Sequence, residues 1–394
     1  MRVTKTLVSR ITATSLFALV LLPLAATTAD AAAPKATAPK VRALGVDALV
    51  QRSVSEIDAW AVWLKANNAT GFVGEVGWPS DDPRWNTLAD AWFKRANAAG
   101  VGVTTWVSGE WAAGQQLGGY VRESLADKSV NTARSNAVLA ESHFAKSSAP
   151  RGVNMTGPEM GSAANQPTST FSNQNVGVLD QAYHYDSAAS YQYLASRGVR
   201  TVRMPFRWER VQRTPFGPLD ADEMGRLKTA VHAARGAGLQ VILDLHNFGS
   251  YYLADASGRG IRRTIGSPEL PIPAFTDVWA KIANYFAGDD AVYAFGLMNE
   301  PVDLKARGKT APARVWEQAS QQAVNVIRAT GDTRTIMVAG YQWSGITNWA
   351  LHHPTSWIKD PANSFQYEAH QYFDARRSGV YRSYDVELAA VAAS

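Results

Sequence analysis

Two glutamates in this chain stand where a carboxyl group can do chemistry. Glu300 lies in Leu297-Met298-Asn299-Glu300-Pro301, at the end of an apolar run. The proline stops a strand there and leaves the carboxylate at its mouth. Glu75 lies in Gly74-Glu75-Val76-Gly77-Trp78-Pro79, at the end of another run, beside glycines that let a ligand or a second backbone come close. Taken singly, either residue could be a loop glutamate that caps a helix, and Gly-Glu-x-Gly is a weak pattern. Facing one another, two carboxylates are the minimum apparatus for cleaving a glycosidic bond. One protonates the leaving oxygen and the other supports a transition state with oxocarbenium character.

The ends of other apolar runs carry fitting auxiliaries. Arg203, in Val-Arg-Met-Pro-Phe, could hold a carboxylate ionised, because a nearby cation lowers a carboxylate pKa. His246-Asn247 ends the run 239–245, and His370-Gln371-Tyr372 ends the run 365–369. Trp106 ends the run 101–105, where an indole face could stack on a sugar ring. Each has a structural alternative: His246 and His370 as core histidines or metal ligands, Arg203 in an ion pair with Glu209 or Asp244, Trp106 as a barrel plug. Zinc is disfavoured by the absence of His-Glu-x-x-His or a comparable spacing. The coincidence of six such run ends favours a site over separate structural roles.

The elements that must position these residues alternate along the chain. Short apolar runs recur at 71–76, 101–106, 152–155, 199–205, 239–245, 292–298, 335–339 and 365–370, with amphipathic helical patterns such as 220–237 and 312–329 between them. This is the signature of βαβ units and a parallel sheet, and eight strands predict a closed α/β barrel of the (β/α)8 type. A doubly wound nucleotide-binding sheet would place Gly-x-Gly-x-x-Gly after its first strand, and none of the runs is followed by it.

Composition narrows the setting. Arg2, Lys5 and Arg10, the apolar stretch 16–26 and the small residues around Ala29-Asp30-Ala31 read as an export signal over residues 1–31, with a secreted mature chain starting near Ala32. Pro23 interrupts the apolar stretch, which is short of the ~20 residues that cross a bilayer, so no membrane association is expected after cleavage. Residues 32–40 (AAAPKATAPK begins at Ala31) read as a flexible leader. Loss of the signal takes the net charge from +5 to +3, too mild to imply nucleic acid. The chain has no cysteine, which excludes disulfides, a thiolate nucleophile and Cys-ligated metal. Its 13 Trp and 14 Tyr exceed what packing requires and suit a carbohydrate cleft, although large core residues account for most of them.

These residues resemble the cellulase-like enzymes of glycoside hydrolase family 5. The resemblance rests on the whole set: Arg-x-Pro-Phe-x-Trp at Arg203, Leu-His-Asn at His246, Met-Asn-Glu-Pro at Asn299 and Glu300, His-Gln-Tyr at His370 and Tyr372, Gly-Glu-x-Gly-x-Pro at Glu75, and the strand-end Trp106. It spans about residues 50–385. One departure is large. In that family the nucleophile and Trp strands are the seventh and eighth, whereas here they come first, so the chain resembles a circularly permuted member. On this reading 41–394 is one barrel domain: 41–140 carry strands seven and eight, 141–150 form the join, and 151–394 carry strands one to six. The competing arrangement is a small N-terminal domain holding Glu75 beside a truncated barrel. It would expose unpaired strand edges, and 41–140 hold only two strand candidates.

The resemblance implies a retaining endo-β-1,4-glucanase. Glu75 would attack the anomeric carbon while Glu300 protonates the leaving oxygen and later activates water. Asn299 would bond the sugar 2-hydroxyl, Tyr372 would bond Glu75, and His370 would help set the protonation of Glu300; Arg203, His246, Asn247 and Trp106 complete the set. No metal or organic cofactor is implied, the partner is a polysaccharide or oligosaccharide, and the chain is expected to be a monomer. Mannan, xyloglucan or β-1,3-glucan would use the same machinery, and a transglycosylase would share the covalent intermediate. A non-catalytic carbohydrate-binding barrel is the competing class. The longest candidate subsite loop is 248–273, with Tyr251, Tyr252, Arg262 and Arg263.

Overall fold

All eight apolar runs form strands, and all eight strands are parallel neighbours in one ring. They are β1 (Gly71–Gly77), β2 (Gly102–Gly109), β3 (Arg151–Met155), β4 (Thr201–Phe206), β5 (Gln240–Leu245), β6 (Val292–Gly296), β7 (Thr335–Ala339) and β8 (Phe365–Tyr372). Each pairs with the next, and β8 pairs with β1, so the barrel is closed and has no open edge. The computed structural model describes residues 47–162, 168–306, 308 and 310–394; the expected signal and leader lie outside the described residues. Among the described residues no helix is long and apolar enough to cross a membrane.

The strands are apolar on both sides because one side fills the barrel and the other meets helices. Every residue of β1 is buried. Phe72, Ile242, Ala294 and Met337, from four different strands, form a cluster separate from the large core that contains Trp60, Trp92, Trp279 and Trp316. Nine of the 13 tryptophans are buried, so most of the aromatic excess is core, and only Trp106, Trp111, Trp343 and Trp357 keep partial exposure.

The helices longer than four residues among the described residues are α1 (Ala48–Ala66), α2 (Pro83–Ala98), α3 (Ser135–Phe144), α4 (Ala188–Ser196), α5 (Ala221–Gly236), α6 (Ile272–Tyr285), α7 (Pro312–Ala329) and α8 (Tyr384–Ala392). Several start at an aspartate whose carboxylate accepts from the first free backbone N–H groups, as Asp47 does from Leu49 (2.9 Å) and Asp220 from Glu223 (3.0 Å). The first helix meets the last: Tyr384 Oη donates to Asp47 Oδ2 at 2.5 Å. It is also tied to β8, whose Gln371 amide donates to Ser53 O (2.9 Å) and Glu56 Oε2 (2.9 Å).

β1 and β2 are thus staves of the ring, β1 between β8 and β2 and β2 between β1 and β3. The expected join is only partly a linker: α3 runs to Phe144, with Ala140, His143 and Phe144 buried. The apolar side of that last turn packs inward, which the Ser/Ala/Pro content around it concealed. The segment 248–273 also departs from a plain loop, since Ser250–Ala254 and Gly260–Thr264 pair as an antiparallel hairpin.

Candidate active site

The barrel brings Glu75 and Glu300 to one mouth although 224 residues separate them in the chain. Glu75 is on β1 in register with His370 on β8. Glu300 follows β6, which ends at Gly296, earlier than the apolar run suggests. The chain beyond it stays tied to its neighbours, because Leu297 N–H donates to Met337 O (3.0 Å) and Asn299 N–H to Leu245 O (2.9 Å). Glu300 then takes φ 44°, a left-handed conformation that costs a non-glycine residue ~1–2 kcal/mol. Such strain persists where the surroundings impose it.

Arg203, fully buried on β4, organises the floor. Its Nη1 donates to Asn154 Oδ1 (2.9 Å) and Glu75 Oε1 (3.2 Å), and its Nη2 to Asn299 Oδ1 (2.8 Å). The same Nη2 lies 2.9 Å from Asp244 Oδ1 and 2.8 Å from Glu368 Oε1. Arg203 therefore pairs with Asp244 and with Glu75 together. Its pKa is raised: burial opposes the charge, but Asp244, Glu368 and Glu75 outweigh it. Gly74 makes room for this group, since a Cβ there would stand 2.3 Å from Glu368 Oε1.

One chain of hydrogen bonds follows from Arg203 alone, because a guanidinium only donates. Asn299 must turn its carbonyl oxygen to Arg203, so its Nδ2 faces His246 Nε2 at 3.1 Å and donates to it. His246 Nε2 is then the acceptor, its proton sits on Nδ1, and Nδ1 donates to Asp244 Oδ2 at 2.7 Å. Burial, the largest cause, pushes the His246 pKa down to about 4, in keeping with this neutral tautomer.

His370 links the two glutamates. Its Nδ1 is 2.8 Å from Glu300 Oε1 and 3.6 Å from Glu75 Oε2, and its Nε2 is 3.2 Å from Glu368 Oε1. Burial works against its charge, yet the carboxylates of Glu75, Glu300 and Glu368 hold its pKa up at about 10. Tyr372 Oη donates to Glu75 Oε2 at 2.6 Å. Carboxylate oxygens of Glu75 and Glu300 and a ring nitrogen of His370 all lie within 4.8 Å of one another. The Glu300 pKa is raised, first by burial and then by the charge of Glu75, with His370 opposing. Glu368 goes the other way: burial raises it, but Arg203 and His370 bring it below its ordinary value.

These groups open into a cleft of about 720 Å³ whose walls include Trp106, Phe248, Trp343, Asn348 and Arg376. The Trp106 ring lies nearly parallel to that of His246, centroids 5.9 Å apart. Asn247 is placed differently from expectation. It is fully buried behind the cleft, where its Nδ2 donates to Glu209 and Ser250 O and its Oδ1 accepts from Trp208 N–H (2.8 Å). With its amide engaged there, it stands outside the lining of the cleft. Tyr251 and Tyr252 are likewise buried, and Arg262 ties the hairpin to Val302 O (3.2 Å) and Asp303 (3.1 Å), so of the segment 248–273 Phe248 is the residue that lines the cleft.

Sequence reasoning missed Glu368, Asn154 and the wall formed by Gln342 and Trp343. Glu368 carries a signal, a carboxylate two residues before His370 and hence on the same side of the strand. Trp343 sits in a run of three left-handed residues, Gln342, Trp343 and Ser344 (φ 66°, 62° and 51°), which no residue-type pattern announces.

Comparison with known proteins places this arrangement. The pattern of the family described as "Cellulase (glycosyl hydrolase family 5)" matches residues 161–390, more than half of the chain. The chain is 27% identical over 200 residues to the "Manganese dependent endoglucanase Eg5A" of Phanerodontia chrysosporium, covering 49% of this chain and 48% of that protein. It is 30% identical over 200 residues to "Endoglucanase gh5-1" of Neurospora crassa, covering 50% and 46%. The crystal structure of Pseudomonas stutzeri endoglucanase Cel5A with cellobiose shares 34% identity at a TM-score of 0.50, over 59% of this chain and 62% of that one. The chain spans about half the length of the curated relatives it matches. With its parallel eight-stranded barrel and this match, the chain belongs to the cellulase family, glycosyl hydrolase family 5.

Proposed function

We propose that the protein is a secreted, retaining endo-β-1,4-glucanase that uses Glu75 as nucleophile and Glu300 as acid/base. The observation that carries this reading is the shared placement of the two carboxyl groups on His370 at the barrel mouth, with oxygens within 4.8 Å. Retaining enzymes hold their carboxyl groups ~5–5.5 Å apart, while inverting ones leave ~6.5–9.5 Å for a water.

The electrostatics support the division of labour. Glu300, raised by burial and by Glu75, is the group disposed to keep a proton for the leaving oxygen. Glu75, facing Arg203 and Tyr372, is the group disposed to attack as an anion. When Glu75 becomes a glycosyl ester it loses its charge, and one cause of the raised Glu300 pKa goes with it. His370 then favours the ionised Glu300, which takes the proton from water in the second step. Asn299, held by Arg203 and His246, would bond the sugar 2-hydroxyl, and Trp106 would stack on a sugar ring.

The relatives' names support β-1,4-glucan as substrate, and the three-part N-terminal pattern supports export. We read the strand order as a permutation of the family's barrel. In support, the matched region begins at residue 161, after β3, and leaves β1 and β2 with Glu75 and Trp106 outside it. The test is a screen of the purified protein on β-1,4-glucan, β-1,3-glucan, xyloglucan, mannan and xylan, with and without a sugar acceptor. Fastest chain scission of β-1,4-glucan is expected; turnover confined to another glycan, or sugar transfer in place of hydrolysis, would overturn the assignment.

A further inference from the structure

A second cluster of ionisable side chains lies at the ends of β2 and β3, and none of its members lines the catalytic cleft. Glu110 directly follows β2, and His184 and Asp186 lie in the connection from β3 to α4. One ligand-capable atom of each lies within 4.8 Å of those of the other two. Glu110 Oε2 and His184 Nε2 are 2.9 Å apart.

The surroundings fix the pose of each group. His184 Nδ1 stands 2.7 Å from Asp180 Oδ1, so a carboxylate takes the proton on one ring nitrogen and leaves Nε2 toward the cluster. A carboxylate behind the second ring nitrogen is the usual support of a metal-binding histidine. Trp111 stacks on the imidazole, centroids 5.3 Å apart and planes 10° from parallel, which sets the ring's orientation. Glu110 Oε1 accepts from Ser187 N–H (2.8 Å) and Ser190 Oγ–H (2.6 Å), leaving Oε2 to face His184.

Asp186 is the observation that points to a ligand. It is 6% exposed, and its Oδ1 accepts from Glu110 N–H at 2.6 Å. Its Oδ2 is buried without a hydrogen-bond partner. An uncompensated buried carboxylate oxygen is costly, and the group that would satisfy it must be a donor or a cation.

We propose that Glu110, His184 and Asp186 form a binding site for a divalent transition-metal ion of the Mn²⁺ or Zn²⁺ class. One imidazole nitrogen with two carboxylates is a mixed donor set that suits these ions better than Ca²⁺, which takes 6–8 oxygens. Bonds of ~2.0–2.2 Å place neighbouring ligand atoms ~3 Å apart, the spacing already present between Glu110 and His184. The ion would fasten the turn after β2 to the start of α4. It has no part in the glycosidic chemistry proposed above, so the two readings stand or fall separately.

The experiment uses the full chain, treated with EDTA and dialysed, then titrated with MnCl₂ or ZnCl₂ by calorimetry, with Mn²⁺ also followed by its EPR signal. One equivalent per chain is expected, with CaCl₂ at least tenfold weaker, and saturation should raise Tm by roughly 4 °C. Binding should be lost in Asp186→Asn and His184→Gln and kept in Glu300→Gln. Asp186→Asn preserves shape and so remains informative should His184→Gln fail to fold. No binding by the native chain, binding that survives in Asp186→Asn, or binding lost instead in Glu300→Gln, which would put the ion in the catalytic cleft, each overturns the proposal.

Discussion

His370 Nδ1 stands 2.8 Å from Glu300 Oε1 and 3.6 Å from Glu75 Oε2, so one imidazole, held from behind by Glu368, faces both carboxylates of the cleft. The charge of Glu75 therefore acts on the proposed acid Glu300, and the expected behaviour of variants follows from that coupling.

Glu300→Ala is expected to slow hydrolysis of glucan by ~10²–10⁴-fold, the usual worth of a positioned proton donor. A substrate with an activated phenol leaving group needs little protonation and should lose far less in the first step. Added azide should restore part of the turnover by attacking the glycosyl-enzyme. Rates on the two substrates, with and without azide, check this; equal losses on both would remove Glu300 from the role.

Glu75→Gln should abolish turnover and leave the fold intact, because the glutamine carbonyl oxygen can still accept from Arg203 while its amide N–H donates to Tyr372 Oη. With the native chain, a 2-deoxy-2-fluoro glycoside of the right sugar should leave a covalent label on Glu75, read by peptide mass spectrometry. Proton NMR of the first-formed product should find the anomeric configuration retained. Label on another residue or an inverted product would refute the double displacement.

The charge of Glu75 is one of the causes that raise the Glu300 pKa, so Glu75→Gln should lower it. Carbon NMR titration of Glu300 measures this directly, and no change would mean that burial acts alone. The sign for activity is that the protonated acid is needed, so turnover should fall as pH rises through the raised pKa. For stability the sign is opposite to that of a paired carboxylate. The unfolded chain releases this proton at lower pH than the folded one, so the ionisation of Glu300 destabilises the fold above the unfolded pKa. Glu300→Gln should then have a higher Tm than the native chain at pH 7, with the gap closing near pH 4.

Tyr372→Phe removes the hydroxyl that donates to Glu75 Oε2 at 2.6 Å. A hydrogen bond to a charged group is worth ~1.5–3 kcal/mol, so a loss of roughly 10–150-fold in kcat is expected with little change in Tm. Arg203→Met should act mainly on stability, costing ~3–5 kcal/mol as Asp244 and Glu368 lose their buried partner. Denaturant midpoints alongside kcat separate the two effects.

The barrel was legible in the sequence because its staves are buried on both sides and therefore appear as apolar runs, most of them closed by a polar or aromatic residue. Glu75, Glu300, Arg203, His246, Asn299, His370 and Tyr372 could all be picked out by that position, since a strand end at a barrel mouth is a local feature. What each side chain meets is not local. His246 and Asn247 are adjacent and both follow the same strand, yet one faces the cleft and the other turns behind it to Glu209, a difference set by the backbone turn after β5. The sharing of Arg203 among Glu75, Asp244 and Glu368 depends on four strands meeting at one level of the barrel, and the pairing of Glu110 with His184 and Asp186 depends on two loops folding over one rim. Residue types and spacing determined which groups reach the mouth; only barrel closure, which fixes distances between residues hundreds of positions apart, decided which of them touch.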